Sequence, residues 1–501
     1  MKKVSVVFLF AGLQVSSAIE SWNVDSQEEW AASLAEQKGV ELVKGLATPT
    51  EKKVTLTSTL KSYENKRGAQ FITISQSPVW MNWNPAGKLL PRNLGDAPVL
   101  LNRGEEGYWA FGRYSRGGWK KQKNGKKFVA EEASLEGFDI PLKTTPFKKQ
   151  YDAPGADQEP KGGYHAWQSK DMVHWVHHGP VSDVEAKWMT TAEVVDGKVY
   201  FYYDFPNDQD PHLIIDEDLT DGKIGKKTGM AFKDPSHGSD CAIIRDLEGQ
   251  FHLILENWDP IHAKSRSWDS PLASHAVSKN GIDSFELKEP AVDYRTKPTG
   301  KKGTYKHPHW KKEDPENYPS NIAEYEIHEP EQHAYGDWAA ISIGGQYYLF
   351  GDYDPAGAHG REHMSVGWFT SSSIDEPFAW CGHIGQGHPD PDIMFAEGQF
   401  YLATQTNSDY ISSGPWVDGV EVRVGVDTDN DKAVDVWTEW SSVKESYELV
   451  PGFAKQVAKT PAQLDLSALP EGFGFQFEIR LTDTTENEAK PILDRIQLDF
   501  K

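Results

Sequence analysis

The sequence predicts an all-β chain: a five-bladed β-propeller, followed by a C-terminal β-sandwich and preceded by a short helical extension. Three observations predict it. Five self-similar units recur through the middle of the chain, each running from a polar residue through small apolar residues to a Gly turn and an aromatic strand. Residues 415–501 alternate apolar and polar positions in regular short runs. Only one stretch, residues 26–45, carries helical signals. Repeats of a unit that cannot bury its own face alone imply stacking, and units of four short strands with aromatic inner strands suit propeller blades. A generic β-sandwich is the alternative for the repeats.

Taken in order, Met1-Lys2-Lys3 precedes the apolar run 4–15 and then Ser16-Ser17-Ala18. This is the pattern of a secretory signal peptide cleaved after Ala18, too short to span a bilayer. The expectation is a secreted or periplasmic chain with domains 1–18 (signal), 19–70 (N-terminal extension), 71–414 (propeller) and 415–501 (sandwich). In 26–45, Ser26 is a candidate cap, Glu28 and Glu29 suit the positive end of the helix dipole, and Gly45 marks the stop. Residues 52–60 and 70–74 alternate like edge strands. Two polar stretches rich in Pro and Gly, 120–160 and 295–335, read as long loops. The five units open at Asp96, Thr190, Asp240, Asp337 and Asp390.

Composition narrows the function. The chain has 52 basic against 75 acidic residues, a formal charge of −23. That argues against nucleic-acid and anionic-membrane partners. Its 18 Trp, 19 Tyr and 22 Phe suit either stacking on sugar rings or a β-rich core that needs large plates. Cys241 and Cys381 are either one disulfide or two isolated buried thiols.

In a propeller the first residue of each innermost strand points to the central channel. Four of those five positions are acids: Asp96, Asp240, Asp337 and Asp390. Converging carboxylates push one another's pKa values apart, so that one holds a proton while another stays ionised. Glycoside hydrolysis needs such a pair. The alternatives are turn caps or ligands of a central cation. Glu193, inside the second unit, is a further acid candidate. Histidines stand just ahead of three acids (His237, His333 and His388), as orienting, acid/base or metal-binding groups. No HExxH, CxxC pair, phosphate-cradling glycine loop or GxSxG elbow occurs, which excludes metalloprotease, nucleotide and serine-hydrolase readings. In the C-terminal part, Asp427, Asp429 and Asp431, with Asp435 beyond, put oxygen ligands at alternate positions. They form either a weak structural Ca²⁺ loop or a solvated acidic turn.

Two stretches carry a family resemblance. SKDMVHWVHHGPV (169–181), followed by TTAEVVDGKVYFYYD (190–204), resembles the linker and inner strand of the invertase-like five-bladed glycosidases. His388-Pro-Asp390-Pro-Asp392-Ile393 resembles the acidic strand opening of the arabinanase and xylosidase group, glycoside hydrolase family 43. Trp80-Met81-Asn82-Trp83-Asn84-Pro85 resembles the invertase nucleophile strand, with Trp83 where that motif has its Asp. The resemblance covers residues 75–410 and implies a secreted, sugar-cleaving propeller with acids drawn from different blades.

The expected function is a glycoside hydrolase acting on plant or algal polysaccharide or its oligosaccharides, needing no cofactor for chemistry. Asp240, Asp337, Asp96, Asp390, Glu193 and His237 are the catalytic candidates. Trp80, Trp83, Trp338, His333 and His388 are the substrate-binding candidates. A polysaccharide lyase using Arg295, His307 and His309 is one alternative, and a non-catalytic sugar binder whose acids hold a cation is another.

Overall fold

The computed structural model describes residues 20–501 apart from 44, 78, 81–86, 115–127, 158–162, 187, 206–209, 237, 239, 258–271, 294, 297–299, 305–323, 329–333, 355–363, 386–388, 406–410, 415–418 and 484–489. The chain is nearly all β and divides into two compact units, Met1–Val79 with Pro415–Glu445 and Pro461–Lys501, and Trp80–Gly414 with Ser446–Thr460. Among the described residues, no helix is long and apolar enough to cross a membrane.

The first unit joins the two ends of the chain. Glu20–Val24, Leu46–Pro49 and Ala69–Ser77 all pair with Ile492–Phe500, while Lys53–Thr57 and Lys61–Arg67 pair with Gly472–Thr482. Alternate residues of the two sheets, among them Ile72, Ile74, Ile496, Val422, Val424 and Phe477, fill one core. The expected separation into an N-terminal extension and a self-contained C-terminal module is therefore corrected. Neither end could bury its apolar face without the other's strands.

The helix is shorter than the sequence predicts. Gln27–Ser33 is helical, capped by a reciprocal box in which the Ser26 hydroxyl accepts from the Glu29 N–H and the Glu29 carboxylate accepts from the Ser26 N–H. Beyond it, Val40–Val43 and Leu46–Pro49 form a hairpin instead. The Val40–Val43 stretch that read as the last helical turns finds a strand partner, and tertiary pairing overrides modest helix propensity. Gly45 is no helix stop but the hairpin turn, at φ +79°.

Among the described residues, the second unit holds five larger, mainly antiparallel sheets and one two-stranded sheet. The first strands of the five larger sheets are Leu94–Asn102, Trp188–Val195, Ala242–Arg245, Ala334–Ile343 and Asp392–Ala396. Each first strand packs beside the first strand of the next sheet, and the fifth packs beside the first. The second strands explain the aromatic runs. In Lys198–Asp204, Phe201 and Tyr203 enter the core shared with the first sheet, while Tyr200 and Tyr202 enter the core shared with the third. A sheet covered on both faces needs apolar residues at every position, which a strand of period 2 presents to two sides in turn.

Parts of the two predicted loops are strands. Glu132–Leu135, Phe138–Thr144 and Gln150–Asp152 extend the first sheet, and Gly300–Thr304 pairs with Glu324–His328. Late in the chain, Ser446–Leu449 and Gln456–Thr460 return to extend the fourth sheet, the latter parallel to Ala334–Ile343. Cys241 and Cys381 are free thiols. Cys241 is fully buried beside Thr190 Oγ1, and burial pushes its thiol pKa up.

Candidate acid cavity

Asp96, Asp240, Asp337 and Asp390 line one cavity of about 230 Å³, together with Thr190. All four acids are held with left-handed backbone, at φ 68°, 49°, 50° and 34°. Non-glycine residues rarely sit there, and Asp tolerates it better than most. The cause is local. In the first and fourth sheets the register slips between Gly95 and Val99 and between Gly336 and Ala339, so that the acid falls at a bulge. A bulge re-aims the side chain of the residue it displaces. Four positions with the same left-handed backbone, two of them at bulges and each an Asp, place four carboxylates in one cavity.

Asp96 differs from the other three in its partners. Its carboxylate meets Arg113 Nε at 2.9 Å and accepts hydrogen bonds from the Tyr164 hydroxyl and Gln405 Nε2, each at 3.2 Å. Burial raises its pKa, while the Arg113 charge and the Tyr164 hydroxyl pull it back down. Burial outweighs these partners, so the net shift is upward, and the Arg113 charge and the Tyr164 hydroxyl are what favour the ionised form. Burial and the neighbouring Asp96 charge push the Tyr164 phenol well above its usual range, so it stays a donor.

The remaining acids are crowded. Asp240, Glu256 and Asp337 each have a carboxylate oxygen within 4.8 Å of the others', and so do Asp337, Asp352 and Asp390. Asp337 belongs to both groups. These five carboxylates, three of them lining the cavity, are the residues here that could hold a metal. Asp352 and Asp204 have a second task. Asp352 Oδ1 accepts the backbone N–H of Asp390 at 2.7 Å, and Asp204 Oδ2 accepts that of Asp240 at 3.1 Å. Each is a buried acid near the end of a second strand, Asp204 its final residue and Asp352 two before the end, holding the acid that opens the next sheet.

These supporting acids were missed in the sequence, although a signal was present. The second strands read KVYFYYD, FHLILE and QYYLFGDYD, an acid after an apolar run in three consecutive units. Trp188 was missed as well. It lines the cavity half-buried, with the Arg113 guanidinium 5.9 Å from its ring.

Several expected residues lie elsewhere. Trp338 is 1% exposed, packed against Tyr335 and Phe369, and has no face to offer a sugar. The stacking role assigned to it is corrected to a core role. Glu193 does not line the cavity. Its buried carboxylate accepts the N–H groups of Ala454 and Val194, and burial raises its pKa. It anchors the returning segment. Asp392, the second acid of the HPDPD stretch, is likewise structural: it accepts the Leu100 N–H at 2.7 Å and pairs with buried Lys455 at 2.9 Å. His237, His333, His388, Trp83, His307 and His309 lie outside the described residues, as does the side chain of Trp80. Arg295 is engaged by Asp293 and Glu289.

Asp171, in the SKDMVHW stretch, accepts the N–H groups of Val173 and His174 and the His174 ring nitrogen. These bonds outweigh its partial burial and hold its pKa at about 2. The motif builds a turn. In the C-terminal acidic loop, Asp427, Asp429 and Asp435 come together, and Asp431 does not join that group. Asp431 instead accepts the Ala433 N–H, and Asp427 accepts those of Asn430 and Lys432.

No family model matches the sequence, and no curated protein sequence matches it. Solved structures do resemble the fold, distantly. An exo-1,5-α-L-arabinanase from a bovine ruminal metagenomic library is 14% identical with a TM-score of 0.36, covering 66% of this chain and 95% of that one. An endo-arabinase from Bacteroides thetaiotaomicron VPI-5482 is 8% identical with a TM-score of 0.37, covering 67% and 95%. A thermostable family-43 glycoside hydrolase is 11% identical with a TM-score of 0.35, covering 67% and 91%.

Proposed function

We propose that the second unit is a five-bladed β-propeller and that its acid cavity is the active site of a secreted glycoside hydrolase. The observation that carries this reading is the convergence of Asp96, Asp240, Asp337 and Asp390, from four sheets, on one cavity with Trp188 at its wall. The two-sheet unit is then an appended β-sandwich.

Glycoside hydrolysis uses one carboxyl group that gives a proton to the leaving oxygen and one carboxylate that serves as nucleophile or base. The two differ here by environment. Asp96, held by Arg113, Tyr164 and Gln405, is the ionised partner. Asp337, which has acid neighbours on both sides, is the proton donor. The pairs Asp240–Asp337 and Asp337–Asp390 approach within 4.8 Å. Asp96, the lining acid outside both crowded groups, is assigned as the other member of the pair that straddles the glycosidic bond. Trp188 supplies a flat apolar face for a sugar ring.

The same close spacing favours a second reading, a sugar-binding protein whose crowded acids hold a cation such as Ca²⁺ without chemistry. Product analysis on arabinan, xylan, galactan and uronate-containing polysaccharides separates the readings. A hydrolase yields new reducing ends without ultraviolet absorbance, a lyase yields an absorbing unsaturated sugar, and a binder leaves the polymer intact. Absence of reducing ends from every one of these substrates would overturn the hydrolase reading.

A further inference from the structure

Away from the acid cavity, the third and fourth sheets bring together two histidines and a carboxylate. His252 lies on Phe251–Glu256 and His275 on the neighbouring strand Ala273–Ser278. The side chains are buried, and His252 Nδ1 stands 2.9 Å from His275 Nε2 with the rings stacked at 5.1 Å. Asp375 follows the strand Ser365–Ser371 of the fourth sheet and is exposed. One of its oxygens and one nitrogen of each histidine all lie within 4.8 Å of one another.

Two further observations separate this cluster from a chance arrangement. The other ring nitrogen of His252, Nε2, faces the buried Asp246 Oδ2 at 3.0 Å. Asp246 is itself fixed by the Gln250 N–H at 2.7 Å. A carboxylate behind a histidine, setting its tautomer so that the opposite nitrogen presents a lone pair, is the usual support of a metal-binding imidazole. The protein also contains its own comparison. In the first sheet His165 and His177 are 2.8 Å apart, and His177 is backed by Asp152 at 3.2 Å. There Tyr114 stacks on both rings, and among the described residues no third ligand completes a group. A hydrogen-bonded histidine pair is thus a structural device in one sheet. In the other it gains a third ligand from a neighbouring sheet.

We propose that His252 Nδ1, His275 Nε2 and the Asp375 carboxylate form a binding site for a divalent transition metal of the zinc class, with Asp246 as positioning residue. The donors are two imidazoles and one carboxylate, a set that suits zinc, cobalt or nickel rather than calcium. Zn–N bonds of about 2.0–2.1 Å in a tetrahedral site require the two nitrogens to part by a few tenths of an ångström. Exposed Asp375 closes from the solvent side, and the fourth position is left to water. The proton that His275 carries on Nε2 moves to its Nδ1, so the tautomer changes without net charge transfer. Bound metal would tie the third sheet to the fourth.

The test uses cobalt(II) with the full-length chain, following its visible d–d absorption and its stoichiometry by equilibrium dialysis. The expected result is one tightly bound cobalt per chain with tetrahedral absorption, displaced by zinc and not by calcium. Asp375→Asn, an exposed substitution that leaves the fold intact, should weaken binding at least tenfold, and Asp246→Asn should weaken it about 10- to 100-fold as supporting partners do. His177→Gln should leave binding unchanged. Zinc should raise the Tm of the wild type and not of Asp375→Asn. No cobalt binding, or binding indifferent to both Asp375→Asn and His275→Gln, would overturn the site.

Discussion

The backbone N–H of Asp390 donates to the Asp352 carboxylate at 2.7 Å, across the gap between the fourth and fifth sheets. Asp240 and Asp204 repeat the relationship between the second and third sheets at 3.1 Å. One acid therefore holds the backbone of another in a sparsely populated conformation. Such strain persists only where the surroundings over-determine it.

Asp352 is accordingly a positioning residue with two separable contributions. Asp352→Ala leaves the Asp390 N–H without its acceptor and should cost about 1–3 kcal/mol in denaturant unfolding. Asp352→Asn keeps an oxygen for that N–H and should recover most of the stability. It also removes one negative neighbour of the proton-carrying group, lowering that group's pKa, so the basic limb of the pH–rate profile should move to lower pH. Equal stability of the Ala and Asn variants would contradict the assigned hydrogen bond.

Trp188 and Trp338 should respond oppositely to truncation. Trp188→Ala should raise KM with little change in Tm, because its ring borders the cavity. Trp338→Ala should cost about 3–5 kcal/mol of stability by opening the core, with no selective effect on KM. Isothermal denaturation beside steady-state kinetics reads both.

Asp216 gives a pH prediction independent of the cavity. Burial, helped by the Asp221 and Asp218 charges, raises its pKa to about 6, while the Asp218 N–H bonded to it opposes the shift. A folded-state pKa above the unfolded one means stability that is fully present below pH 4 and lost as pH rises through 6. Asp216→Asn removes the buried charge while keeping an oxygen for that N–H. It should gain about 2–3 kcal/mol at pH 7.5 and nothing at pH 4. A variant less stable than wild type at pH 7.5 would contradict this.

The sequence made the repeats legible because every unit carries the same order of polar opening, apolar strand, Gly turn and aromatic strand. The four inner acids followed from that register, and the structure places all four at one cavity. What stayed hidden was non-local. Nothing near Lys53–Thr57 indicates that its partner is Gly472–Thr482, more than four hundred residues away. Trp338 and Trp188 both follow polar positions near a strand opening, and only the packing shows which ring is enclosed. Glu193 looked like a channel acid because its partner, Ala454, belongs to a segment that returns late in the chain.

The most direct test of the acid-cavity chemistry is the turnover of Asp337→Asn and Asp96→Asn on an activated aryl glycoside and on its unactivated oligosaccharide. With Asp337 as proton donor, Asp337→Asn should lose at least a hundredfold on the oligosaccharide, and much less on the aryl glycoside, whose leaving group needs no proton. Asp96→Asn should lose at least a hundredfold on both. Both variants should unfold close to the wild-type midpoint. Turnover within a fewfold of wild type for both variants on both substrates would contradict the assignment.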